Sequence, residues 1–95
     1  MKREFLVTTL AQDRVGLLSR VAMVFSRRGI NIESLKVAES AMKGIAAISM
    51  VVLTDARTIE QIVKQLEKQV EVLQAFSAEQ PDISKQIENH IQYAS

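Results

Sequence analysis

The stretch Asp13–Leu35, reading DRVGLLSRVAMVFSRRGINIESL, constrains this chain more than any other. A turn carrying Gly16 opens a helix, and Gly29 closes it before an extended run begins. Leu17–Arg28 is helical by period. Ser19, Arg20, Met23, Ser26 and Arg27 fall on one stripe, while Leu17, Leu18, Val21, Ala22, Val24 and Phe25 fill the rest. So wide an apolar arc predicts a helix covered on more than one side. Gly29 stops it as a left-handed cap residue does. The loop before the helix exposes the free N–H groups of its first turn, which favour anions. Two turns at opposite ends of one helix make a natural small-ligand site.

The flanking segments alternate between strand and helix. Phe5–Leu10 sets Phe5, Val7 and Thr9 against Leu6, Thr8 and Leu10, so both faces suit a strand covered on two sides. Ile30–Glu39 reads as a second strand, Ser40–Gly44 as a hairpin loop, and Ile45–Leu53 (IAAISMVVL) as a central strand. Asp55 or Thr58 caps the next helix, and Thr58 with Gln61 has capping-box spacing. Ile59, Ile62, Val63, Leu66 and Val70 recur on one face of that helix. Glu71–Ser77 closes with a last strand. The order β-α-β-β-α-β predicts an α+β, ferredoxin-like domain over residues 1–78: a four-stranded antiparallel sheet with two helices on one face. The other sheet face is left partly bare and apolar, which predicts cover in an oligomer. Residues 79–95 form a tail, predicted as a short helix starting at Pro81, whose Ile83, Ile87 and Ile91 make a stripe too thin to fold alone.

Composition removes several classes of function. Cysteine is absent, so disulfides, thiolate chemistry and cysteine-ligated zinc are excluded. No long apolar run follows MKREFLV, so neither a signal peptide nor a membrane span is predicted, and a cytoplasmic location follows by default. The net charge of +1 calls for no polyanion, although residues 1–36 carry seven Lys/Arg against three Asp/Glu. Aromatic content of 4% is sparse for stacking nucleic-acid bases, and the strands lack paired rings, so no nucleic-acid partner is expected. The lone histidine, His90, has no nucleophile in view, and no catalytic residue is assigned. Glu60, Glu67 and Glu71 read as helix-surface charges at no metal-binding spacing.

The run GLLSRVAMVFSRRGINIESLKV closely resembles the start of the small, regulatory subunit of acetolactate (acetohydroxyacid) synthase, an ACT-domain protein. IEQIVKQLEKQVEVLQ is a separate match in the second helix. Together they span Lys2 to Ser77, and the chain resembles the short, one-domain form. The resemblance implies a non-catalytic partner of a thiamine-diphosphate enzyme of branched-chain amino acid biosynthesis. It would activate the catalytic subunit and confer feedback inhibition by valine or another branched-chain amino acid. Thiamine diphosphate, Mg and FAD would sit on that catalytic partner and none on this chain. Family ACT domains pair side by side as homodimers, with the effector where the first loop of one protomer meets the second strand of its mate.

Carried over by position, the effector site would comprise Asp13, Arg14, Val15, Gly16, Leu17 and Leu18, with Asn31 and Ile32. Backbone N–H groups of Val15–Leu18 would meet the effector carboxylate, and Gly16 would let the backbone come close. Asn31 offers a donor and an acceptor, and Leu17 and Ile32 could receive an aliphatic side chain. On residues alone, Gly16 reads either as a ligand-approach glycine or as a helix-start glycine, and Asn31 either as a ligand or as a turn former. Asp13 stands where the family usually has Asn. At ~4 Å its carboxylate would favour the effector ammonium, or oppose its carboxylate, by about 4 kcal/mol at a surface-like dielectric. The third strand reads AISM in place of the usual Ser-Arg-Met. Arg20, Arg27 and Arg28 form a basic stripe, either a solvated face or a docking surface for the catalytic subunit.

Two alternatives share the fold. One is a stand-alone ACT-domain amino-acid sensor for another enzyme. The other is an acylphosphatase-like hydrolase holding phosphate with Arg14 and Asn31, although a glycine-rich phosphate loop is missing.

Overall fold

A computed structural model describes residues 2–80. The elements are β1 (Arg3–Gln12), α1 (Leu17–Ser26), β2 (Ile32–Glu39), β3 (Ile45–Thr54), α2 (Ala56–Glu67) and β4 (Val72–Gln80). The strands form one antiparallel sheet in the order β2-β3-β1-β4, so β1 and β3 are central and β2 and β4 are edges. This is the ferredoxin-like plan expected from the sequence. The expected tail helix, with Pro81, Ile83, Ile87, His90 and Ile91, lies outside the described residues.

Alternation along the central strands sorts their side chains into two environments. Phe5, Val7, Thr9 and Ala11 of β1 pair across to Val52, Met50, Ile48 and Ala46 of β3, and all eight are buried. Over them lie Leu17, Val21, Val24 and Phe25 of α1 and Ile59, Ile62 and Leu66 of α2, in one continuous core. The opposite face carries Leu6, Leu10, Val51, Leu53 and Phe76, with no element of the described residues above it. Among the described residues the expected cover on both faces of β1 is therefore found on one face only, because both helices lie on the same side.

Other expectations are corrected in detail. Among the described residues α1 is buried along one stripe, with Leu18 and Met23 exposed, because its apolar packing is against the core beneath it and α2 beside it. Asp55, not Thr58, caps α2: its side chain accepts the Thr58 N–H at 2.7 Å. Thr58 is thereby inside the first turn, and no capping box forms with Gln61. That bond, chiefly from the Thr58 backbone, holds the Asp55 carboxyl below its ordinary value. Val70 does not join the buried face of α2. The helix ends at Glu67, and Val70 stands 89% exposed in the turn beyond.

One buried polar atom sits in this core without a partner. Thr9 is fully buried, and its Oγ1 has no hydrogen-bond partner among the described residues. A buried, unpaired hydroxyl costs about 1–3 kcal/mol. Thr9→Val keeps the shape and the β-branch while removing that hydroxyl. It should therefore raise the melting temperature by about 4–8 degrees per kcal/mol gained. A melting temperature at or below that of the unaltered chain would show that the hydroxyl is satisfied in solution.

Candidate functional site

The glycine-bracketed helix is built as the sequence suggests, with both glycines in left-handed backbone: φ is 83° at Gly16 and 69° at Gly29. Gly16 occupies the N-cap position of α1 and supplies no side-chain cap. Its conformation alone favours glycine, and a second contact adds to this. A Cβ at position 16 would lie 2.9 Å from Nη1 of Arg20.

Arg20 ties the first loop to the rest of the domain. Its Nη2 donates to the Val15 carbonyl at 3.2 Å, and its Nε pairs with Oε1 of Glu71. Glu71 is only 7% exposed, so its assignment to the helix surface is corrected. α2 stops at Glu67, and the following turn carries Glu71 inward beneath the loop. The Gln12 N–H donates to the Glu71 carbonyl at 2.8 Å, and the Asp13 N–H to the Gly44 carbonyl at 3.0 Å. The candidate loop is thus anchored at its base to both the β2–β3 hairpin and the α2–β4 turn. The Leu17 N–H turns back to the Arg14 carbonyl at 3.1 Å. Within the loop Asp13, Arg14 and Val15 are exposed, Val15 at 98%, whereas Leu17 is buried in the core.

Asn31 and Ile32 sit elsewhere. They follow the C-terminal end of α1, whose ten residues separate them from the first loop by about 15 Å along the helix axis. Asn31 is exposed and Ile32 half-buried. Asn31 lines a cavity of about 310 Å³ with Lys2, Arg28, Glu33, Asp55 and Thr58, and none of Asp13–Leu18 reaches it. The structure therefore gathers Asp13–Leu18 at one end of the domain and Asn31 with Ile32 at the other. Arg14 and Asn31 cannot hold one phosphate within a protomer. Of the three stripe arginines, Arg20 is engaged by Glu71, while Arg27 and Arg28 face a groove between the helices.

The role of Glu71 was not visible in the sequence, because its partner is fifty-one positions away. Its own backbone N–H first, and the Arg20 guanidinium second, hold its carboxyl below the ordinary Glu value of 4.5. A depressed folded value means that this stabilisation is present above the unfolded value and lost as pH falls through the folded one. Glu71→Gln lacks that dependence. Its melting temperature should lie below that of the unaltered chain at neutral pH, and the gap should narrow as pH drops below 4.5. A gap that stays constant with pH would mean that the Glu71 charge contributes nothing.

With the fold and loop in place, comparison with known proteins becomes specific. Residues 7–74 match the family model described as AHAS small subunit-like ACT domain. The acetolactate synthase small subunit of Mycobacterium leprae is 40% identical over 73 residues, 77% of this chain and 43% of that protein. The one from Mycolicibacterium smegmatis is 38% identical over 74 residues, 78% of this chain and 44% of the relative. The crystal structure of the acetolactate synthase small subunit from Thermotoga maritima superposes with a TM-score of 0.73 at 43% identity, covering 79% of this chain and 47% of that one. The chain thus spans less than half the length of these relatives. On the family model, these identities and the shared fold, it belongs to the family of ACT domains of acetolactate synthase small subunits.

Proposed function

We propose that the chain is a non-catalytic regulatory subunit that binds a branched-chain amino acid, foremost valine, between two copies of itself and acts on the catalytic subunit of acetolactate synthase. The observation that carries this reading is the separation of the two half-sites, which only a second copy can close. β1 and β2 are each antiparallel to β3, so they run parallel to one another. The loop after β1 and the C-terminal end of β2 therefore share one end of the sheet, and Asn31 at the start of β2 lies at the other. If two β2 edges pair antiparallel about a twofold axis, the start of each β2 comes beside the first loop of its mate.

The β2 edge suits such pairing. Its outer backbone groups meet no strand of the described residues, and it carries Leu35 at 44% and Val37 at 47% exposure. In the joined site the N–H groups of Val15, Gly16 and Leu18 would face the effector carboxylate. Asn31 of the mate would supply a donor and an acceptor, with Ile32 beside the aliphatic side chain. Asp13 would face the ammonium. Effector binding then ties two protomers together and alters the surface offered to the catalytic chain. It regulates only if that chain distinguishes the two states.

The first test is a melting curve with millimolar valine, leucine or isoleucine, using glycine and acetate as controls. Effector at a hundredfold over Kd adds about 2.7 kcal/mol, so the melting temperature should rise by about ten degrees or more. A rise with valine and none with acetate supports the site, and no rise with any of the three overturns effector binding by this chain alone. Gly16→Val should abolish the rise while leaving activation of the catalytic subunit intact, because the left-handed backbone and the Arg20 guanidinium both reject a side chain there. Loss of activation along with the rise would show that binding and docking share one surface.

A further inference from the structure

The groove between α1 and α2 has a chemistry that the effector site does not use. Val24 floors it, and Arg27, Arg28, Gln65, Lys68 and Gln69 line it, enclosing about 400 Å³. A shallower extension of about 240 Å³ continues past Met23 to Arg20. Among the described residues, three cations line the main groove and no carboxylate does. Arg28 donates from Nε to Oε1 of Gln65 at 3.1 Å and from Nη1 to Oε1 of Gln61 at 2.7 Å. Arg27 rests its Nη2 on Sδ of Met23 at 3.4 Å. Both guanidinium groups are thus oriented by neutral acceptors, which fix their direction without cancelling their charge.

Arg20 and Arg3 provide the contrast, for each meets a glutamate, Glu71 and Glu79 respectively. Helix polarity accounts for part of the pattern. Arg27 and Lys68 are the C-cap residues of α1 and α2, where cations are favoured. It does not account for Arg28, which two glutamines of α2 draw across the interhelical gap. A pre-aimed guanidinium with free N–H groups is a fork for a carboxylate, and the exposed Met23 beside Val24 offers an apolar seat.

We infer that this groove docks an acidic segment of the catalytic subunit, one bearing two or more Asp/Glu beside an aliphatic side chain. The inference rests on the regulatory-subunit reading and adds to it the chemistry of the partner and the α2 residues Gln61, Gln65 and Lys68.

The test measures the Kd of the full 95-residue chain for the acetolactate synthase catalytic subunit of the same organism. Arg27→Glu with Arg28→Glu should weaken binding at least tenfold while the variant still unfolds in a single cooperative melting transition above the assay temperature. Lys43→Glu, on the β2–β3 hairpin outside the groove, should bind as the unaltered chain does. Gln61→Ala with Gln65→Ala keeps every charge but releases Arg28, and should weaken binding by a smaller factor, about threefold. Added salt should weaken the unaltered chain more than the double-glutamate variant, because exposed charges are screened. If the double-glutamate variant binds as tightly as the unaltered chain, the groove is overturned and the regulatory reading stands. If the unaltered chain does not bind the catalytic subunit, both fall. If the double-glutamate variant instead loses self-association by sedimentation, the groove is a contact between copies and the proposal is wrong.

Discussion

Burial of alternate side chains of β1 and β3 beneath α1 and α2 is the interaction from which the rest of the domain follows. Phe5, Val7, Ile48, Met50 and Val52 leave water against Phe25, Ile62 and Leu66, and this packing sets where every loop begins and ends. Apolar burial contributes roughly 25 cal/mol per Å², so a strand that slipped by one residue would expose its whole buried set. The register is correspondingly regular along the full length of the β1–β3 pair. Among the described residues, two helices cover one face of a four-stranded sheet and no element covers the other. The bare face and the open β2 edge are consequences of that arrangement, not separate features.

The same geometry divides the proposed effector site between the two ends of the domain. The groups proposed to face the effector are backbone donors in a loop and a single amide at the far end of α1. Under the proposed reading a second protomer joins these half-sites. Binding would then couple directly to association, because the ligand would touch two chains at once. Arg20 holds Val15 on one side and Glu71 on the other, so the loop of the proposed half-site would need little ordering on binding.

Much of the fold was legible from the residues. The periods of Leu17–Arg28 and of Ile59–Leu66, the two glycines and the apolar run Ile45–Leu53 gave the element order directly. Failures occurred where local pattern and tertiary demand diverge. Val70 continues the helical spacing of α2, yet the chain leaves the helix three residues earlier to bring Glu71 under the loop. Thr58 fits a capping box, but Asp55 lies earlier and offers a stronger, charged acceptor. The breadth of the apolar arc on α1 suggested cover on several sides, whereas the described residues cover one.

The sequence alone determined the order of elements, the left-handed cap at Gly29, and the family, because these depend on backbone sterics, side-chain period and local spelling. Only the tertiary structure decided that Arg20 belongs to Glu71 while Arg27 and Arg28, among the described residues, meet neutral acceptors. It alone set Asp13–Leu18 and Asn31 at opposite ends of the domain. Those outcomes depend on which residues distant in the chain become neighbours in space, and charges and amides carry no period from which such pairing could be read.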